Sequence, residues 1–126
     1  MMKWIVAVTA VMGVGAGAPA VAQESPNLSP AYVNCMDRAG SNTVQSGVCT
    51  QREAAVQDDR LNKAYQQVMR QLASRPAAKT ALRDQQRRWI RERDYSCKIN
   101  GDTIDTSCIV TKTALRADQL ERQVRF

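Results

Sequence analysis

Apolar side chains recur every three or four residues through most of the chain, and this spacing predicts α-helices. The longest such segment lies between Thr43 and Ser74 and contains no proline. Its apolar positions are Ala54, Leu61, Tyr65, Val68 and Leu72. Thr43 is expected to cap the start of this helix. The Arg75-Pro76 pair is expected to end it, because a residue before proline avoids helical backbone angles.

A short helix is predicted before this segment and another after it. Ser29 suits the N-cap and Pro30 the first position of the short helix, which Gly40 is expected to end. The later helix begins near Pro76 and reaches Cys97. Its apolar positions are Leu82, Trp89 and Ile90.

The stretch NGDTIDTS, which follows that helix, predicts a polar turn. Thr106 or Ser107 is then expected to cap a last helix. The β-branched residues are scattered without period-two alternation, so no strand is predicted. The predicted fold is all-α: a small disulfide-stapled bundle of about four helices, in which the two long central helices form an antiparallel hairpin.

The first 22 residues are typical of a secretory signal peptide. They contain Lys3, an apolar run, and a small-x-small site that ends at Ala22. Glycines and Pro19 interrupt the run too early for a membrane-spanning helix, and Cys35 lies too far away to be a lipidation site. Residues 23–28 are predicted to be a flexible lead, and residues 29–126 a helical domain. The expected location is periplasmic or secreted, in a bacterium, without a lipid anchor.

The four cysteines all lie in the part expected to be exported, which predicts two disulfides. Their spacing lacks the C-x2-C pairs typical of zinc sites. The turns between the helices favour Cys35–Cys49 with Cys97–Cys108. The alternative is Cys35–Cys108 with Cys49–Cys97, which would join helices across the bundle.

Polar residues interrupt the apolar faces of the two long helices. If these helices pack antiparallel, Asp58 lies opposite Arg93, and Tyr65 lies opposite Gln86. We therefore predict a partly buried Asp58–Arg93 pair that fixes the register of the hairpin, because a buried charge without a partner is very costly.

The stretch QQRRWIRERDYSC holds four arginines, on a chain of net charge +6. On a helix these arginines do not lie together. Arg93 shares the inner face with Trp89, whereas Arg87 and Arg91 lie on an outer line. Only Arg87 and Arg91 of the four are candidates for contact with a partner.

The motifs on these helices are similar to those of bacterial exported proteins of the LprI type, the lysozyme-inhibitor LprI-like domain. The family pattern is Y-x-x-C, D-x-x-L-N-x-x-Y, Q-R-x-W-x-x-x-R-D-x-x-C, and a closing cysteine followed by R-x-x-x-L. In this chain it falls on Tyr32, Cys35, Asp58, Leu61, Asn62, Tyr65, Gln86, Arg87, Trp89, Arg93, Asp94, Cys97, Cys108, Arg116 and Leu120.

The resemblance implies an exported protein that binds and blocks a lysozyme or a related cell-wall hydrolase. C-type lysozymes are basic, so such a complex would need a local acidic face on this chain. Asp102 and Asp105, or Asp58 with Asp59, are the candidates. The alternative is a basic module that binds peptidoglycan or an outer-membrane polymer without inhibiting an enzyme.

Catalysis and nucleic-acid binding are not expected. The chain has no histidine, and its cysteines are expected to be oxidised. It also lacks a glycine-rich phosphate loop. Export and the scarcity of aromatic residues argue against nucleic acid. No cofactor, metal or catalytic residue is predicted, and the oligomeric state is not predicted.

Overall fold

The computed structural model describes residues 26–125, which form four helices and two very short strands. The predicted all-α, disulfide-stapled bundle is confirmed. In chain order the elements are α1 (Pro30–Ala39), α2 (Thr43–Gln71), α3 (Pro76–Ser96), β1 (Lys98–Ile99), β2 (Thr103–Ile104) and α4 (Thr106–Gln123). The predicted signal peptide and the first part of the predicted lead, residues 23–25, lie outside the described residues.

Local side-chain contacts explain where the first two helices begin. The Ser29 hydroxyl accepts a hydrogen bond from the Tyr32 N–H at 3.1 Å, as expected of an N-cap. For α2 the predicted cap was one residue too late: Asn42 Oδ1 accepts from the Gln45 N–H at 3.0 Å. Asn42 has an extended backbone, whereas Thr43 already lies in the helix.

The turn between α3 and α4 is a short antiparallel hairpin, where the sequence predicted no strand. Ile99 pairs with Thr103, and Lys98 pairs with Ile104. Asn100 and Gly101 both have positive φ, at 49° and 77°. Asparagine and glycine tolerate this region of backbone space best, and two such residues in sequence favour a tight reversal of the chain.

The last helix, α4, lies at the centre of the bundle. Ala114, Ala117 and Leu120 are completely inaccessible to solvent, and α2 packs more extensively on α4 than on any other element. The small alanine side chains allow the two helix backbones to approach closely. The core cluster unites three helices and consists of Leu61, Ala64, Val68, Leu82, Ala117 and Leu120.

This packing differs from the predicted central hairpin of α2 and α3. The only buried residues that α3 contributes are Leu82 and Gln86. Since most of the α3 surface is polar, α3 covers one side of the core, while α4 takes the central position that the sequence had suggested for α3.

Both predicted disulfides are confirmed, namely Cys35–Cys49 and Cys97–Cys108. The first joins α1 to α2. The second joins the two ends of the β-hairpin, at the end of α3 and the start of α4. Each disulfide closes a short loop. In the chain-entropy model, a disulfide that closes a loop of this size contributes roughly 3 kcal/mol to stability. Disulfides in so small a domain are typical of proteins outside the cytoplasm.

A buried polar network joins the chain before α1 to the middle of α2. Glu53 is only 1% exposed, and its carboxylate accepts from both the N–H and the hydroxyl of Ser29, each at 2.8 Å. Gln57 is equally buried, and its Nε2 donates to the Asn27 carbonyl at 3.0 Å. Asn27 also donates its own N–H to Asp118, on α4. Within the predicted lead, both backbone polar groups of Asn27 are therefore bonded to the bundle.

Arg60 connects α2 to α4 within the same network. Its guanidinium donates to Asp118 and makes a two-point contact with Glu121, with 2.6 Å from Nε to Oε1 and from Nη2 to Oε2. The hydrogen bonds with Glu121 and Asp118 raise the pKa of Arg60 above its ordinary value, although partial burial acts in the opposite direction. Arg60 is thus a fully paired cation.

We expect Glu53→Ala to lower the free energy of unfolding by about 2 kcal/mol, because it removes a buried acceptor and leaves the two partly buried Ser29 donors without a partner. Asp58→Ala is the matched control. Asp58 lies on the same helix but is exposed and makes no hydrogen bond within residues 26–125. The Asp58→Ala variant should change the free energy of unfolding by less than about 0.5 kcal/mol. Urea unfolding followed by circular dichroism measures both values, and equal losses would contradict the role given to Glu53.

Candidate partner-binding site

The predicted Asp58–Arg93 pair does not form. Asp58 is exposed on α2. Arg93 is turned towards α4, where its Nη1 donates to Thr113 Oγ1 at 3.3 Å. Its Nη2 lies 2.9 Å from Oδ1 of the neighbouring Asp94. The prediction was wrong because it assumed that the inner face of α3 meets α2, whereas at this level α3 faces α4.

The predicted contact between Tyr65 and Gln86 is absent for the same reason. Gln86 is buried at 7% exposure, and its side-chain oxygen accepts from Arg116 Nε at 3.0 Å. Tyr65 packs against the core cluster instead. Of the other motif residues, Leu61 lies in the core and Asn62 is exposed.

Trp89 lies beneath two guanidinium groups. The central carbon of Arg93 is 5.2 Å from the centroid of the indole ring, and that of Arg116 is 5.9 Å away. These distances are within the range of cation–π attraction. Trp89 also packs against the core cluster, so the ring links the core to the surface of α3 and α4.

Beside Trp89 lies a shallow cleft of about 330 Å3 between α3 and α4, which we call the basic cleft. Its lining residues on α3 include Trp89, Glu92 and Arg93, and those on α4 include Lys112, Arg116 and Gln119. Sequence reasoning did not find this cleft. The available signal was the matching helical spacing of Trp89 with Arg93 and of Lys112 with Arg116, but nothing in the sequence placed the two pairs together.

Arg116 differs from the other guanidiniums in its partners. Its Nε donates to Gln86, and its Nη1 donates to the Gln119 side-chain oxygen at 3.3 Å. Within residues 26–125 no carboxylate forms an ion pair with it. Burial lowers the pKa of Arg116 from its ordinary value, since the charged form loses part of its hydration.

The four candidate contact residues from the sequence lie on different elements of the fold. Arg87 and Arg91 are exposed on α3, and Asp102 is exposed in the loop of the β-hairpin. Asp105 has a structural contact: its carboxylate caps α4 by accepting from the N–H groups of Ser107 and Cys108. The cap thus lies one residue before the predicted Thr106 and two before the predicted Ser107.

The β-hairpin exposes apolar side chains next to the basic cleft. Ile99 is 49% and Ile104 44% exposed, and Tyr95 at the end of α3 is 79% exposed. Ser96, which lines the cleft, directly precedes the disulfide-bonded Cys97. The pairing of Ile104 with Lys98 and of Ile99 with Thr103 places the two isoleucines on opposite faces of the hairpin. We use the name apolar hairpin surface for Tyr95, Ile99 and Ile104 together. The Cys97–Cys108 bond links the two ends of the hairpin.

A larger open groove of about 790 Å3 lies between the start of α2 and the start of α4. Its walls include Val44, Gly47, Val48 and Thr50, and Arg52 is the only basic residue among those that line it. Its side chains are mainly small or hydroxyl-bearing. They do not bring several charged groups together, so the groove has less chemistry for recognition than the basic cleft.

The described part of the chain has neither a membrane-spanning helix nor a cluster of metal-binding side chains. No helix there is long and apolar enough to cross a membrane. In the same residues, no three His, Cys, Asp or Glu side chains are grouped in a way that could hold a metal ion.

We expect Asp105→Ala to lower the thermal unfolding temperature, because α4 loses its N-cap, whereas Asp102→Ala should leave it unchanged. Asp105→Asn keeps a side-chain acceptor, so its unfolding temperature should lie between those of Asp105→Ala and the wild type.

The hydrogen bond from Ser107 lowers the pKa of Asp105, so its charge contributes stability above the ordinary carboxyl pKa. That contribution is lost as the pH falls through the lowered pKa. Melting curves from neutral pH to about pH 2 check this, and a constant difference between wild type and Asp105→Asn would contradict it.

The family model described as lysozyme inhibitor LprI matches residues 35–120, a span that includes both disulfides and all residues of the basic cleft. No curated protein and no solved structure matches the chain. Because the family model covers well over half of the sequence, the chain belongs to the LprI lysozyme inhibitor family.

Proposed function

We propose that this protein acts outside the cytoplasm as an inhibitor that binds and blocks a lysozyme or a related cell-wall hydrolase. The observation that carries the proposal is the family match over residues 35–120. The two disulfides support an extracytoplasmic location, since they persist in oxidising compartments. The protein acts by binding and performs no catalysis.

The apolar hairpin surface is the element best suited to enter the groove of an enzyme. The core of a protein interface is apolar, and tyrosine is enriched among the residues that dominate its binding energy. The hairpin is short, and the Cys97–Cys108 bond joins its ends. A rigid loop loses little conformational entropy when it binds, which favours affinity.

The charge of the chain affects which hydrolases it binds. A net charge of +6 slows association with strongly basic lysozymes through long-range repulsion. Less basic enzymes are therefore the better targets. Asp102 in the hairpin loop supplies a local negative charge beside the apolar hairpin surface.

We expect the oxidised protein to inhibit at least one member of a panel of lysozymes and bacterial peptidoglycan hydrolases at micromolar concentration. Hydrolysis of a peptidoglycan suspension measures the activity. Inhibition should be strongest for the least basic enzymes, and reduced and alkylated protein should lose it. If no enzyme of the panel is inhibited, the proposed function is wrong.

We expect the double variant Tyr95→Ser with Ile99→Ser to weaken inhibition by about tenfold or more, because it removes exposed apolar contact area. Val33→Ser with Val56→Ser is the matched control, since both valines are 48% exposed on α1 and α2. The inhibition constant and the melting temperature are measured for each protein. An equal loss in both variants would place the contact elsewhere.

The alternative function is binding to an anionic envelope polymer without inhibition, which the positive net charge favours. Such binding depends mainly on charge and should weaken steeply with salt, whereas a shape-matched inhibitor complex should not. Co-sedimentation with purified peptidoglycan across a salt series measures this. Salt-sensitive sedimentation without any enzyme inhibition would favour the alternative.

A further inference from the structure

We propose that the basic cleft between α3 and α4 binds the carboxylate of an acidic side chain that projects from the partner protein. This inference rests on the proposed function for the existence of a protein partner. It adds a second contact, next to the apolar hairpin surface, and it assigns that contact a chemistry.

The first argument is the incomplete pairing of Arg116. This guanidinium is partly buried, yet its hydrogen-bond acceptors are the neutral amide oxygens of Gln86 and Gln119. Arg60, on the other side of α4, has two carboxylate partners. A carboxylate in the basic cleft would form with Arg116 the kind of ion pair that Asp118 and Glu121 form with Arg60. Two-point contacts between arginine and carboxylate are among the strongest hydrogen bonds in proteins.

The second argument is the charge around the cleft. Lys112 lines it and forms no hydrogen bond or ion pair in the described part of the chain. Arg93 is neutralised by Asp94, and Glu92 is the one acidic residue that lines the cleft. Lys112 and Arg116 therefore outweigh Glu92 and leave a net positive charge, which attracts an anion.

The third argument concerns the shape of the ligand. The Trp89 ring already contacts two guanidiniums and the core cluster, so little of its face is free for stacking on a sugar ring. The pre-placed guanidiniums favour a small planar anion. A glutamate or aspartate side chain meets this requirement better than a cell-wall glycan does.

The test uses the oxidised, 15N-labelled protein after removal of the predicted signal peptide. Trp89 is the only tryptophan after residue 22, so it alone gives the indole N–H signal. The probe is a short peptide with blocked termini whose single charged group is a glutamate side chain, and the matched probe carries glutamine instead. Ionic strength is held constant. We expect the glutamate peptide to shift the Trp89 indole signal and the Arg116 Nε–H signal, and the glutamine peptide to shift neither.

Variants of the cleft test the same contact. Arg116→Gln should raise the Kd for the glutamate peptide by about tenfold or more, and Lys112→Gln by about threefold. Arg83→Gln makes the same charge change at an exposed position of α3 outside the cleft, and it should have no effect. Lys112→Gln removes no internal hydrogen bond of the described residues. It therefore tests peptide binding in the cleft even if Arg116→Gln impairs folding.

Several results would overturn the inference. They are the absence of any shift with the glutamate peptide, an equal response to the glutamine peptide, and an unchanged Kd for Lys112→Gln. A muramyl dipeptide that shifts both signals where the glutamate peptide does not would assign the cleft to cell-wall glycans and would also overturn it.

The inference and the proposed function can fail separately. If an enzyme is inhibited and Lys112→Gln and Arg116→Gln inhibit it as wild type does, the cleft inference falls and the proposed function stands. If the glutamate peptide binds in the cleft but no hydrolase is inhibited, the proposed function is wrong and the cleft still binds a carboxylate.

Discussion

The arrangement of the bundle depends on the polar contacts that Arg60 makes between α2 and α4. Its guanidinium bonds to Asp118 and Glu121, and it also donates to the Asn27 carbonyl. Asp118 is buried and Arg60 is partly buried, so removal of either partner would leave the other charge incompletely hydrated and unpaired. Only one register of α2 against α4 keeps all these contacts. The same register places Asp118 where it receives the Asn27 N–H, so the chain before α1 is held as well.

The central position of α4 also creates the candidate site. Since one side of α4 packs on α2, another side remains for α3, and the two meet around Trp89. Arg60, on α2, binds carboxylates of α4. Arg116, on α4, binds the amide oxygens of Gln86 and Gln119. The first arginine is satisfied inside the fold. The second retains attraction for an external anion, next to a hairpin whose apolar side chains are exposed.

Local features of the fold could be predicted from the sequence, and long-range contacts could not. The start of α1 at Ser29-Pro30 and the end of α2 before Pro76 follow from neighbours in the chain, and both were predicted correctly. The Asp58–Arg93 pair failed although its charges are opposite, because complementary charge does not determine which helix faces which. The basic cleft was missed for the same reason: Arg116 was recognised as a motif residue, but no pattern brought it to Trp89.

By itself, the sequence determined the number of helices, their approximate limits and the preferred pairing of the cysteines, because these depend on periodicity, capping and short loops. The tertiary structure alone decided that α4 and not α3 packs at the centre. The physical reason is close packing: Ala114 and Ala117 let α2 approach, and Arg60 then has two carboxylates within reach. That choice of partner helix left Arg116 without a carboxylate and so determined where an acidic group of a partner would bind.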